Sequence, residues 1–503
     1  MKNNISATLP LNQDSEIPLY RQIYRNLRRA IMLGQILPGT KMPSTRTLSK
    51  QLNVSRNTVI NAYEQLIAEG CLVSEHGSGT YVAFNLESTN LTPSSESIHK
   101  PERNGNSNRA DRMLKMLHRT IKPMPACKDG KIRAFREGVP ALDMFPYKTW
   151  QRLINKAWRF SPSELLCGGS YLPLCEAIAA YLNVARGVSC NPEQVIVVSG
   201  SQMGISLVGQ VLLDPGEAVW IEDPGYPGAY GAFQSVSVTT IPVPVDKEGL
   251  LLQEGIRKYP NARLAFVTPS HQFPLGSMMS FRRRLELLNW AEQNNSWILE
   301  DDYDSEFRYS GRPITALQAI DMKRRVIYLG TFSKVMFPAI RLGYLVVPLD
   351  LVEAFKAARQ FTIQYPPLLE QAALADFINL GHFNHHIHRM RTLYESRQNI
   401  LIKAAKNEWE GMIETESSDA GMHLIGWLPG SMDDQDASKK VARCGIDAFP
   451  LSNFCFDEKL RGAFVLGFAG INENDIRAGV SAIRQALVVN RKYNRSAQIL
   501  PAV

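Results

Sequence analysis

No stretch of this chain is apolar for long enough to cross a bilayer as a helix, so the sequence predicts no membrane anchor. Its first residues, MKNNISATLPLNQDSE, lack the apolar core of a secretory signal. Cysteine is sparse: the seven are scattered, with no CxxC or CxH spacing. That pattern argues against a disulfide framework and structural zinc, and places free thiols in a reducing cytoplasm. Internal repeats are absent too, which argues against a solenoid or propeller.

Acidic residues are short only at one end. Lys and Arg outnumber Asp and Glu by 9 to 5 over residues 1–83 and by 10 to 5 over 84–134, against 37 to 38 over 135–503. The net charge of +8 therefore lies wholly in the first 134 residues. Such asymmetry points to a polyanionic partner for that end alone. At 503 residues, 45% of them hydrophobic, the chain has the length for two or more domains and a large core.

The N-terminal pattern is compact. Leu19, Ile23, Leu27 and Ile31 recur at helical spacing in PLYRQIYRNLRRAIMLG, which Gly34 ends. Ser44 is placed to cap a short helix reaching Leu52, and Asn53-Val54 to make a tight turn. Ser55 then caps a second helix that buries Val59, Ala62, Tyr63, Leu66 and Ile67 and stops at Gly70. CLVSEHGSGTYVA reads as two short strands about a His-Gly-Ser-Gly turn. Three helices and a hairpin make an α+β winged helix-turn-helix over residues 15–83, and a double-stranded DNA operator is the partner it fits. Residues 85–109 contain 15 Ser, Asn, Thr, Pro or Gly in 25 positions. The segment 84–130 therefore reads as a flexible basic linker, with a short helix in DRMLKMLHRTIK leading out of it.

From 131 to 490 the pattern alternates. VIVVS, AVWIE, LAFVT, SWILED, VIYLG and LGYLVVP are short apolar strands separated by helices and loops, the signature of an α/β domain with a largely parallel sheet. Beyond about residue 370 the chain reads as a smaller α+β part. Ligands of such a sheet sit at strand ends, and four of these strands end in suggestive residues. Gly200, Ser201 and Gln202 open a helix whose free amides suit a phosphate. Tyr226 stands on the turn DPGYPG, Asp301 and Tyr303 in DDYDSEF, and Lys334 in TFSK, with Arg341 seven residues on. An amine, a carboxylate, a phenol, a stacking ring and a phosphate cup are what pyridoxal phosphate requires.

These motifs carry a resemblance. EDPGYPG, TPSHQFPLG, EDDYDSEFRY and TFSKVMFPAIRLGY resemble the fold-type-I, aspartate-aminotransferase-like family. With a GntR-type winged helix ahead of them, the whole chain resembles the MocR subfamily of transcription regulators. The resemblance implies that Lys334 holds the cofactor as a Schiff base, Asp301 its pyridine nitrogen and Tyr303 its ring hydroxyl, while Tyr226 stacks on the ring. Ser201, Gln202, Thr331, Ser333 and Arg341 would form the phosphate cup. His271 lies near the position where the enzymes place an asparagine beside the ring hydroxyl, and Asp302 and Asp304 cap or face solvent. In the head it implies DNA contacts from Arg46, Ser55, Arg56, Asn57, Thr58, His76, Gly77 and Thr80. The histidines of GHFNHHIHRMR (His382, His385, His386 and His388) have no carboxylate or cysteine nearby, and read as a helix surface or subunit contact, with no metal.

Three departures stand out. Where aminotransferases bind the substrate carboxylate with an arginine, AFVLGFAG has Phe464, Val465 and Leu466, and the nearest arginine is Arg461. Gly228 stands where relatives that read an amino acid carry an arginine. Leu165 stands where a tyrosine usually reaches the partner subunit's phosphate, with Tyr171 as a substitute. Two functions follow: a homodimeric regulator sensing a small effector, or an aminotransferase with an accessory head and weak or no transaminase activity. In a third version the effector is pyridoxal phosphate itself.

Overall fold

The computed structural model describes residues 10–12, 15, 17–75, 78–83, 107–120, 127–128, 131–160, 170–311, 314–457 and 459–496. His76, Gly77, Leu165 and residues 84–106 lie outside them. The chain divides into two units, Met1–Asn104 and Gly105–Val503.

Local signals build the first unit. Ser44 Oγ accepts from Thr47 N at 3.1 Å to start helix Thr45–Leu52, and Asn53, with φ 51°, ends it in the left-handed region. Ser55 Oγ accepts from Thr58 N at 3.1 Å to start Arg56–Ala68. Together with Leu19–Met32, these helices bury Ile23, Leu27, Leu48, Val59, Ala62 and Leu66. Strands Leu72–Glu75 and Gly79–Val82 pair antiparallel as the wing. Ile67, expected on the buried face, is 37% exposed.

The second unit is organised on an eight-stranded sheet. Its spatial order is Val195–Val198, Gly343–Val346, Val326–Thr331, Trp297–Asp302, Leu264–Val267, Ala218–Asp223, Thr239–Asp246 and Gly249–Leu250. All six expected strands are present. Gly343–Val346 runs antiparallel to both neighbours, whereas the strands from Val326–Thr331 to Thr239–Asp246 run parallel. The sequence reading missed TTIPVPVD because two prolines argue against a strand. Here the carbonyls of Pro242 and Pro244 face the outer edge, where Lys258 Nζ donates at 2.8 Å and Leu251 N at 2.9 Å. The missing N–H groups therefore fall on the side with only a two-residue partner. A four-stranded antiparallel sheet (Glu414–Thr415, His423–Trp427, Ala463–Gly467, Phe449–Pro450) forms the smaller part with helices His382–Glu408 and Glu473–Ser496. Helix Asn108–Thr120 lies against Pro227–Ser235, within the second unit.

Candidate functional site

The parallel strands carry their polar ends to one cavity of about 200 Å³. Trp297–Asp302 delivers Asp301, and Tyr303 follows it; Val326–Thr331 delivers Thr331, with Ser333 and Lys334 on the turn beyond. Tyr226 caps Pro227–Ser235 after strand Ala218–Asp223, and Ser201 opens helix Ser201–Leu212. Arg341 reaches the same space from a left-handed turn with φ 48°. Helix Ser201–Leu212 begins at Gly200, φ 82°, with no side chain capping its first turn. That leaves its positive end to an anion.

Asp301 is 6% exposed and its Oδ1 has no hydrogen-bond partner. Burial, reinforced by Asp302, lifts its carboxyl to about 8, although Lys334 pulls the other way. A buried, unpartnered carboxyl oxygen lining the cavity fits a pyridinium N–H. Ser333 Oγ, likewise without a partner, fits a phosphate oxygen beside Arg341. The residues present therefore fit the cofactor. Lys334 is 29% exposed, its Nζ 3.5 Å from Glu137 Oε1 and 3.3 Å from Gly138 O. A side chain at 138 would occupy the amine's own place, since its Cβ would lie 1.9 Å from Nζ. Gln202 turns aside: its Nε2 donates to Gly228 O at 2.7 Å, and Tyr226 Oη donates to its Oε1 at 3.3 Å.

Several expected placements change. His271 does not line this cavity; it meets Tyr303 Oη (3.0 Å) and Asp304 (3.1 Å) through Nδ1, and Phe273 of the same motif lines the cavity instead. Asp302 and Asp304 neither cap nor face solvent. Asp302 is buried against Arg186 Nε at 2.8 Å, and Arg186 Nη2 also donates to Ser270 Oγ at 2.7 Å. Asp302 ends its strand and Asp304 follows two residues on, both inside the core, where a carboxylate without a partner would be costly. Glu137, Thr268 and Pro338 were missed as lining residues. Thr268 and Pro338 stand inside the quoted motifs TPSHQFPLG and TFSKVMFPAIRLGY but have no ionisable group to single them out, and for Glu137 the one signal is the glycine that follows it in REGVP.

The carboxylate departures have structural counterparts. Val465 is fully buried in an apolar cluster with Phe273, Leu451, Phe454 and Ala463, and Tyr226 and Tyr303 pack on that cluster. Arg461 points elsewhere, its Nη1 donating to Glu414 at 2.7 Å and its Nε to Leu428 O at 2.5 Å. A Cβ at 228 would lie 2.4 Å from the Tyr226 ring and 2.5 Å from Gln202 Oε1, so no longer side chain fits there without displacing both. Tyr171 N donates to Gln371 at 3.0 Å. Of the four clustered histidines, His386 is buried with Nε2 3.0 Å from Val335 O, and burial holds it down to about 4. Among the described residues no three His, Cys, Asp or Glu are grouped to hold a metal.

In the head, Arg46, Ser55, Arg56 and Asn57 are exposed at the first turns of the two capped helices, with Thr58 and Thr80 half-buried. Arg56 Nε donates to Thr45 Oγ1 at 3.3 Å, tying the start of one helix to the start of the other. Among the described residues no helix is long and apolar enough to cross a membrane.

A winged helix-turn-helix unit, joined to a unit whose strand ends converge on a pyridoxal-phosphate cavity, defines a DNA-binding regulator built on an aminotransferase fold. Residues 19–82 match the model of the gntR family of bacterial regulatory proteins, and 168–483 match that of aminotransferase class I and II. The chain is 39% identical to the probable rhizopine catabolism regulatory protein MocR of Rhizobium meliloti, over 95% of this chain and 96% of that one. It is 30% identical to the pyridoxine biosynthesis transcriptional regulator PdxR of Corynebacterium glutamicum, over 96% and 99%. The structure is similar to kynurenine aminotransferase of Pyrococcus horikoshii, with TM-score 0.66 and 25% identity over 78% of this chain and 97% of that one. The chain belongs to the MocR family of GntR-type transcription regulators, and its cofactor is pyridoxal phosphate.

Proposed function

We propose that this regulator acts in the cytoplasm as a homodimer on a two-fold operator, and that its cofactor cavity reads an amine without a carboxylate, or pyridoxal phosphate itself. The observation that carries the reading is the charge of the cavity. It has an apolar wall at Phe273, backed by the buried Val465, and a carboxylate, Glu137, 3.5 Å from the Lys334 amine. A carboxylate ligand entering a partly desolvated site needs a charge-assisted partner. Arg341 is the one cation besides Lys334 among the lining residues, and the phosphate end of the cofactor takes it. Glu137 repels an acid and accepts from an ammonium or hydroxyl group. The relative named for pyridoxine biosynthesis supports the version in which the cofactor is the signal.

When bound, the cofactor supplies an electrophilic carbonyl that an amine can engage. Lys334 anchors it through Nζ, and Asp301 holds a proton at the pyridine nitrogen. Tyr303 would donate to its ring hydroxyl, Tyr226, braced by Gln202 Oε1, would cover one ring face, and Ser201, Thr331, Ser333 and Arg341 would hold its phosphate. In the head, Arg46, Ser55, Arg56, Asn57, Thr58, His76, Gly77 and Thr80 meet DNA, with the first turn of Arg56–Ala68 in the major groove. Two-fold half-sites need two heads. Large exposed apolar side chains on the second unit, Trp158 at 62%, Leu172 at 59% and Phe361 at 91%, supply surface for self-association. In the test, the cofactor-loaded protein is titrated with α-amino acids and with amines, following visible absorption and operator affinity together. Amines shift one or both, and common α-amino acids leave both unchanged. Rapid conversion to the pyridoxamine form by an ordinary amino acid would overturn this reading in favour of an active aminotransferase.

A further inference from the structure

Behind Tyr303 lies a second cavity of about 390 Å³, between the large sheet and the smaller part of the same unit. His271, 4% exposed, forms part of its lining, and its Nε2 is buried without a hydrogen-bond partner. Arg308 lines it too, and its Nε is likewise unpartnered; its guanidinium approaches Asp419 only to 4.0 Å. Leu275, Met278 and Trp427 add apolar surface. Two buried nitrogens without hydrogen-bond partners beside an apolar wall are a costly arrangement unless a ligand completes them.

We propose that this cavity binds a small carboxylic acid with an apolar body, non-covalently and separately from the cofactor. The carboxylate accepts from Arg308 and from His271 Nε2, and the apolar body lies along Leu275, Met278 and Trp427. Asp304 fixes the ring's other proton, since a carboxylate accepts only and so takes Nδ1–H at 3.1 Å. A carboxylic acid entering there brings the one proton that lies between its own oxygen and Nε2. Gly421 permits this placement: a Cβ there would lie 2.1 Å from His271 Cε1. Glu416 and Asp419 stand on the exposed rim, where solvent screens them, and face only the outer end of the ligand. Occupancy reaches the cofactor through one atom, because Tyr303 Oη lies 3.0 Å from His271 Nδ1. The site is thus a second input to the proposed sensor, resting on that reading only for its consequence and not for its binding.

The test is calorimetric titration of the full cofactor-loaded chain with 3-phenylpropionate, with 3-phenylpropionamide as the uncharged control. The acid binds saturably with one site per chain and changes the visible absorption; the amide gives no binding. Arg308→Gln keeps the cofactor's absorption and weakens the acid about tenfold or more, and Arg308→Lys restores part of that loss. Absence of saturable binding into the millimolar range, equal affinity in Arg308→Gln, or equal affinity for the amide each overturns the site. Loss of the yellow cofactor band in the parent protein would instead count against the cofactor assignment, whatever the acid does.

Discussion

Asp301, the proposed partner of the pyridine nitrogen, is held against its own preference. Its carboxyl has an ordinary value of 3.8 in the unfolded chain and about 8 in the folded, cofactor-free one, mainly through burial. The folded state therefore holds an extra proton between those values. Its stabilising contribution is full below about pH 4 and is lost as pH rises through about 8. Glu222 and Glu306, each lifted by burial to about 7, add to that slope, so the informative quantity is a difference between variants. Asp301→Asn is expected to flatten the pH dependence of the melting temperature and to raise it at pH 8 in cofactor-free protein, while abolishing tight cofactor binding. An unchanged pH profile would count against the burial argument. For Lys334→Ala the expectation is loss of the yellow band with the fold kept, read by visible and far-ultraviolet spectra; a retained band would remove Lys334 from its role.

At the scale of elements, side-chain caps decide where the head's helices begin, and those starts are also the proposed DNA surface. Ser44 and Ser55 each satisfy one backbone amide in the first turn. That fixes the positions of Arg46 and Arg56 just beyond them. Arg56→Ala should weaken operator binding roughly ten- to hundredfold in a filter or fluorescence assay. Parent affinity should fall linearly on a log-log salt plot, with a shallower slope in the variant if Arg56 also meets a phosphate. The yellow band should be untouched, because the cofactor cavity is lined wholly by the other unit. A variant with parental affinity at all salts would take Arg56 out of the interface.

At the scale of the molecule, the long-range contacts explain which readings the residues alone could support. The capped helices, the wing and six of the sheet's strands were legible because caps, apolar periodicity and strand-end turns are local, each written within about a dozen residues. Lys334, Asp301, Tyr303, Tyr226, Ser201, Thr331, Ser333 and Arg341 were legible for a related reason: in a parallel sheet the carboxyl ends of strands share one side, so polar strand ends converge. What the sequence by itself determined is thus a DNA-binding head, an α/β domain with a largely parallel sheet and the inventory of a pyridoxal-phosphate site. Only the tertiary structure decided which groups meet across the chain. It brought Glu137 to Lys334 from 197 positions away, buried Asp302 on Arg186, and packed Val465 among aromatic and aliphatic side chains. It also turned His271 from the cofactor towards a second cavity. Such pairings depend on how loops cross between a sheet and the part that covers it, and no local energy term encodes that crossing.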